Sequence, residues 1–263
     1  MPVKIYPVIS SIHMKVKRFH LLLAFLGFAL CLLPFRRHLI RPVASIICIA
    51  KGRRTVTERV AQYGPAVRAR LADDFNRIGC PYPPTRMTLV GLKKEKRLEV
   101  WIASPNGVYA LLKSYPIIGT SGGIGPKLEE GDSQMPEGIY GIDFLNPNSR
   151  YHLSLRIDYP NVFDKERATE DGRARLGGDI MIHGGAWSDG CLAMGDPAVE
   201  DLFVLVAETG PTNVSVILSP VDFRVRDLSG RSDKSPAWTS DLYGRITQEM
   251  LRFRGNPTPI DGN

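Results

Sequence analysis

Cysteine is scarce in this sequence and scattered. Four stand at positions 31, 48, 80 and 191 of 263 residues, with no CxxC or other metal-type spacing. That excludes a disulfide framework or a zinc ribbon as the organising principle. A phosphate-cradling loop is missing too: Lys127 is followed by Leu128, where the GxxxxGK[ST] pattern demands a hydroxyl. There are no internal repeats. No apolar run is long enough for a full membrane span of about 20 residues; Leu21–Leu33 is uninterrupted but stops at thirteen.

Acidic residues are absent from one region. Residues 1–54 hold ten Lys/Arg and no Asp or Glu, while the other 209 residues carry 24 basic and 27 acidic side chains. The net charge of +7 and the pI near 9.3 therefore belong to the N-terminal segment. That segment is interrupted by apolar residues, unlike a basic arm built for nucleic acid, so no nucleic-acid partner is expected. Lys15, Lys17 and Arg18 precede Leu21–Leu33, and a run of this length fits the core of a signal peptide. Met14 is an alternative start. No small-residue lipobox precedes Cys31, and Arg36, Arg37, Arg41, Lys51, Arg53 and Arg54 follow the run, against the usual charge asymmetry of an exported chain. Residues 1–54 are read as a signal peptide or a membrane anchor.

What is present is an ordinary globular composition, 43% hydrophobic and 23% charged. Val56, Val60, Tyr63, Val67, Leu71, Phe75 and Ile78 recur at helical spacing, and Gly64-Pro65 is expected to break or restart that helix. Cys80–Pro84 closes it, so 55–84 reads as a helical segment and a Pro-rich linker. Strand-like stretches follow at Met87–Leu92, Arg97–Ala103, Val108–Tyr115, Ile139–Phe144, Tyr151–Ile157, Val214–Leu218 and Phe223–Val225. Leu145–Ser149 reads as a loop and Asp158–Gly178 as a polar excursion. Asp196 is expected to cap a helix with Pro197 at its first position, running to about Glu208. The class is mainly β with a few helices (α+β), with one main domain over 85–228. Residues 229–263 form a C-terminal tail with a short helix near Leu242–Phe253.

The chemistry concentrates in Asp179–Asp196, D-I-M-I-H-G-G-A-W-S-D-G-C-L-A-M-G-D, with His183 and Cys191 as its only histidine and cysteine. A thiol becomes a strong nucleophile beside a base, and the base needs a third group to orient it. A backbone carbonyl near Gly184 could hold the second ring nitrogen, with Asp189 as a competitor for that role. Backbone N–H groups at Gly190 and Cys191 could form an oxyanion hole, worth about 3–4 kcal/mol per donor. A metal site of His183, Asp189 and Cys191 matches none of the usual spacings, and only His152 could join it within the domain. A plain turn with a buried thiol and a satisfied histidine is the structural alternative.

The run I-H-G-G-A-W-S-D-G-C-L-A-M resembles the active-site signature of the L,D-transpeptidase (YkuD-type) family, and its YafK-like branch in particular. G-P-K-L-E-E-G-D-S-Q-M-P-E-G-I-Y at 125–140, L-N-P-N-S-R-Y-H-L at 145–153 and Y-P-N-V-F-D at 159–164 resemble further segments of that branch. The resemblance covers about residues 85–225. It implies a β-sandwich catalytic domain in which Cys191 attacks a peptidoglycan stem-peptide carbonyl and His183 carries the proton. Gly184, Ser188, Asp189 and Gly190 would form the active-site loop, and 121–140 would line the cleft. Lys127, Glu137, Tyr140 and Arg150 are candidates for substrate contact. The implied substrate contains diaminopimelate, no metal or organic cofactor is required, and export to the periplasm or cell envelope is expected. Asp189 and Ala193 depart from the wider family, which has His and a polar residue there. They leave open whether an amine, a lipoprotein lysine or water resolves the acyl-enzyme. The alternatives are an L,D-amidase or peptidase and a non-catalytic cell-wall-binding module.

Overall fold

Thr55 and Glu58 begin the described fold by capping each other. The Thr55 side chain accepts the Glu58 N–H and Glu58 accepts the Thr55 N–H, closing a capping box at the start of helix α1, Val56–Ile78. Gly79, in the left-handed region at φ 63°, ends it. The helix is continuous, contrary to the break expected at Gly64-Pro65. Val67, Leu71 and Phe75 are all buried on the core side, each worth about 1.5–3 kcal/mol. That burial outweighs the backbone hydrogen bond that Pro65 cannot make. The computed structural model describes residues 52–226 and 235–254. The segment expected to be a signal or anchor therefore lies, up to residue 51, outside the described residues. Among the described residues no helix is long and apolar enough to cross a membrane.

Eight strands follow: β1 (Met87–Leu92), β2 (Arg97–Ala103), β3 (Tyr109–Pro116), β4 (Gly138–Ser149), β5 (His152–Ile157), β6 (Met181–His183), β7 (Leu192–Ala193) and β8 (Val214–Ser219). Their order across the sheet is β3-β2-β1-β8-β4-β5-β6-β7. Pairing is antiparallel except for β1 with β8 and β6 with β7. β4 is the pivot. Its first residues, Gly138–Gly141, pair with β8, whereas Ile142–Ser149 pair with β5 through two register shifts. Bulges of this kind bend a strand and let it serve two sheet halves. The stretch expected as a loop, Leu145–Ser149, is thus the bulged end of β4. Beyond β3, Gly119 bridges Ala193 of β7, so the two ends of the strand order meet and the sheet rolls up. Leu98 and Leu112 from one half share a core with Leu153, Ile182 and Leu192 from the other. The result is the α+β, sandwich-like class expected.

Three more α-helices stand among the described residues. Helix α2, Val162–Glu170, replaces part of the expected polar excursion and begins with a capping box between Asn161 and Asp164. Helix α3, Asp196–Thr209, starts at Gly195 with Pro197 in its first turn, but without a side-chain cap. Asp196 instead accepts the Gly185 N–H at 2.9 Å, tying the loop after β6 to the helix. Helix α3 buries most of its residues, and α1 docks on it through Arg70–Asp201 and Arg68–Glu208 ion pairs. Helix α4, Thr239–Met250, covers the other face of the β1–β2–β3–β8 half. Leu242, Ile246, Met250 and Phe253 pack there on Val90, Trp101, Tyr109 and Ile217. Phe223–Val225, expected as a strand, is a turn with Val225 exposed.

Candidate active site

β6 and β7 place the two central side chains. They pair in parallel with Ile182 opposite Leu192 and His183 opposite Ala193, which sets Cys191 alongside Met181. Residues two apart on a strand share a face. Cys191 and His183 therefore sit on one face of the sheet as diagonal neighbours. The turn between them requires its glycines. At Gly184 a Cβ would lie 2.6 Å from both the Tyr151 carbonyl and Asp196 Oδ1. Gly190 holds φ 78°, a left-handed conformation that a side chain strains, directly before the thiol.

His183 is buried, and its Nδ1 lies 2.6 Å from the Gly184 carbonyl. The orienting group is therefore a backbone carbonyl and not Asp189, which is exposed and makes no such contact. A carbonyl only accepts, so Nδ1 carries the proton and Nε2 holds the free lone pair. Tyr151 stacks on the imidazole at 4.6 Å between ring centres, tilted 30°. Trp187, 65% exposed, lies beyond Tyr151 at 6.5 Å. Burial pushes the imidazole below its ordinary pKa, with the Gly184 hydrogen bond opposing.

Cys191 is half-buried and lines a cleft of about 420 Å³ together with Lys127, Ser133, Gly178, Asp179 and Asp189. Its Sγ accepts the Met181 N–H at 3.3 Å and points to the Asp179 carbonyl at 3.8 Å. Burial pushes the thiol above its ordinary pKa, and the charges of Asp189 and Asp179 add to this. The Met181 N–H and Lys127 oppose it. The resting pair is thus a neutral thiol and a neutral imidazole, each held by backbone and not by the other.

The remaining expected site residues divide. The Gly190 N–H donates to Ser121 Oγ at 2.6 Å, so in this structure it is not free for an oxyanion. Ser188 Oγ is buried without a hydrogen-bond partner among the described residues. Lys127 lines the cleft but pairs with Asp132 at 2.5 Å and donates to the Glu129 carbonyl. Glu137 and Tyr140 are corrected: both are buried framework. Glu137 is 1% exposed and bonded to Lys93, Gly125 and Tyr243, and the Tyr140 hydroxyl donates to the Glu137 carbonyl. Arg150 is exposed in the β4–β5 turn and lies outside the residues that line the cleft. His152 is bonded to Glu200 of α3 and packs on Tyr63, so it serves helix docking. Sequence reasoning missed Tyr151, although it lies within the quoted 145–153 segment, and Ser121, whose serine carries no signal of its own.

These features describe an α+β domain whose rolled sheet carries one thiol and one buried imidazole on the same face. Residues 89–217 match the family model of YkuD, the L,D-transpeptidase catalytic domain, and this domain belongs to that family. Over 147 residues the chain is 35% identical to YafK of Escherichia coli (strain K12), provisionally named an L,D-transpeptidase; the match covers 54% of this chain and 56% of that protein. YafK of Escherichia coli O157:H7 matches to the same extent. The chain thus spans little more than half the length of these curated relatives. The crystal structure of the helical cell shape determining protein Pgp2 from Campylobacter jejuni aligns at 20% identity and TM-score 0.43, over 64% of this chain and 70% of that one. Mycobacterium tuberculosis L,D-transpeptidase 1 aligns at 11% identity and TM-score 0.30, over 51% and 62%.

Proposed function

We propose that this chain is a peptidoglycan-modifying cysteine acyltransferase of the L,D-transpeptidase type, acting on diaminopimelate-containing stem peptides. The observation that carries the reading is the shared sheet face. It sets the Cys191 thiol in the cleft beside a buried imidazole whose Nδ1 is fixed by the Gly184 carbonyl. For the reaction, Sγ has to leave the Asp179 carbonyl, which it faces at 3.8 Å, and approach Nε2 by turning about the Cys191 Cα–Cβ bond. Nε2 takes the thiol proton as sulfur bonds to the carbonyl carbon of the L-centre. The tetrahedral intermediate collapses, the C–N bond breaks, and the departing amine of the D-residue takes the proton from Nε2. A thioester remains on Cys191. An incoming amine then attacks it, Nε2 accepts that amine's proton, and the thiol is restored as the new amide forms. Water in place of the amine makes the same site an amidase, and the lysine of a wall-attached lipoprotein makes it a tethering enzyme.

The neutral resting pair suits this sequence of steps. Charge separates only when substrate excludes water from the cleft, where fixed dipoles act most strongly. Ser188 Oγ, buried and unpartnered, is the candidate donor to the developing oxyanion. The substrate class places the enzyme in the bacterial envelope, with residues 1–54 as its export signal or membrane anchor. The test is incubation with purified muropeptides and mass analysis of the products. Cross-linked dimers identify an amine acceptor, and shortened stems identify water. Unchanged muropeptides together with a Cys191 inert to iodoacetamide would favour a non-catalytic wall-binding module.

A further inference from the structure

We propose that the buried pair Lys93–Glu137 is a positioning device that sets the cleft loop at its root and couples it, through Tyr243, to helix α4. The inference rests on reading Cys191 as the reacting thiol.

Lys93 directly follows β1, and its ammonium is fully engaged: it donates to the Gly125 carbonyl at 3.0 Å, the Met135 carbonyl at 2.9 Å and Glu137 Oε1 at 3.0 Å. An ammonium has three protons, so none is left over. Glu137 is equally committed. Oε1 also accepts the Gly125 N–H at 2.8 Å, and Oε2 accepts the Tyr243 hydroxyl at 2.8 Å. Gly125 is thus gripped by both its N–H and its C=O, and Met135 is drawn to the same ammonium. These two residues are the feet of one loop. Between them lie Lys127, Glu130, Gly131 and Ser133, which line the Cys191 cleft. At the loop's shoulders Ser121 accepts the Gly190 N–H and donates to the Ser133 carbonyl. The Gln134 carbonyl lies 3.2 Å from the place a Cβ on Gly190 would take. A shift at the feet therefore reaches the residue that precedes the nucleophile.

Stability alone does not explain the pair. Two ions taken out of water recover their desolvation cost only with full partnering, and apolar residues of equal volume serve packing as well or better. What the ions add is a fixed geometry for two loop feet, which apolar contact does not specify. Tyr243 extends this to α4, beyond the 89–217 region that matches the family model.

The test reads the thiol and needs no turnover, so it remains decisive even if the proposed reaction is wrong. The double variant Lys93→Met/Glu137→Gln removes both charges while keeping an acceptor for the Gly125 N–H. Tyr243→Phe removes only the hydroxyl. In each, the rate of Cys191 alkylation by iodoacetamide is followed from pH 6 to 10 at a temperature where circular dichroism shows the folded state. A loosened loop admits water to Cys191, so its alkylation midpoint moves to lower pH. The rate at pH 7.5 is expected to rise at least threefold in the double variant and about twofold in Tyr243→Phe. A profile superimposed on wild type in the folded double variant overturns the proposal. Should that variant not fold, an unchanged profile in Tyr243→Phe overturns it.

Discussion

At the residue scale the account turns on two neutral groups and what keeps them neutral. Asp189 is exposed and raises the thiol pKa by its charge. Asp189→Asn should therefore increase Cys191 alkylation at pH 7.5, by about twofold for a 0.3-unit fall in pKa; a slower reaction would contradict the assigned sign. Tyr151 covers the imidazole, and burial is what holds the His183 pKa below its ordinary 6.5. A neutral base is required, so activity falls as pH drops through that pKa. Tyr151→Ala lets in water, raises the His183 pKa and should move the acid limb of the kcat/KM profile to higher pH. An NMR titration of His183 checks the same shift directly. The local geometry was legible because glycines between one thiol and one imidazole imply a sharp return, and the Gly184 carbonyl was an available partner for the ring. Glu137 and Tyr140 were misread for a simple reason. Motif position places a residue near a cleft but does not say whether it faces the cleft or the core.

At the element scale the informative failures are α2 and β4. The charged run Asp164–Arg175 read as a solvated excursion, but Asn161 and Asp164 form a capping box at the spacing that starts a helix. That local signal was present and the charge count obscured it. The bulges of β4 had no such signal, because they answer to pairing partners on two sheet halves. Asp164 also makes α2 pH-sensitive. Burial raises its carboxyl from 3.8 to about 6, and the Asn161 N–H and Tyr140 hydroxyl oppose this. A raised folded-state pKa gives stability that is full below the ordinary value and lost as pH rises through about 6. The Tm contribution should therefore decline between pH 4 and 7, by at most about 3 kcal/mol in stability. Asp164→Asn should flatten that decline; an unchanged pH dependence of Tm would contradict it.

At the scale of the whole molecule, a rolled sheet is covered on separate faces by α1 with α3 and by α4. The apolar periodicity of α1 predicted a buried stripe but not what it would meet, since its ion-pair partners lie 130–140 residues away. The contribution of α4 was still less visible, since Leu242, Ile246 and Met250 are few and follow a polar stretch. Their burial predicts that Ile246→Ala or Phe253→Ala costs about 2–5 kcal/mol in chemical denaturation. A loss below about 0.5 kcal/mol would contradict the packing described.

The central claim is that one thiol on the β6–β7 face forms a covalent acyl-enzyme with a stem peptide. The most direct measurement is the intact mass of the protein after brief exposure to a diaminopimelate-containing tetrapeptide stem, followed by acid quench and peptide mapping. The account predicts an added mass equal to the acyl portion of the stem, located on Cys191, absent in Cys191→Ala and strongly reduced in His183→Ala. Processing of the stem that persists undiminished in Cys191→Ala, or an adduct that maps to another residue, would contradict it.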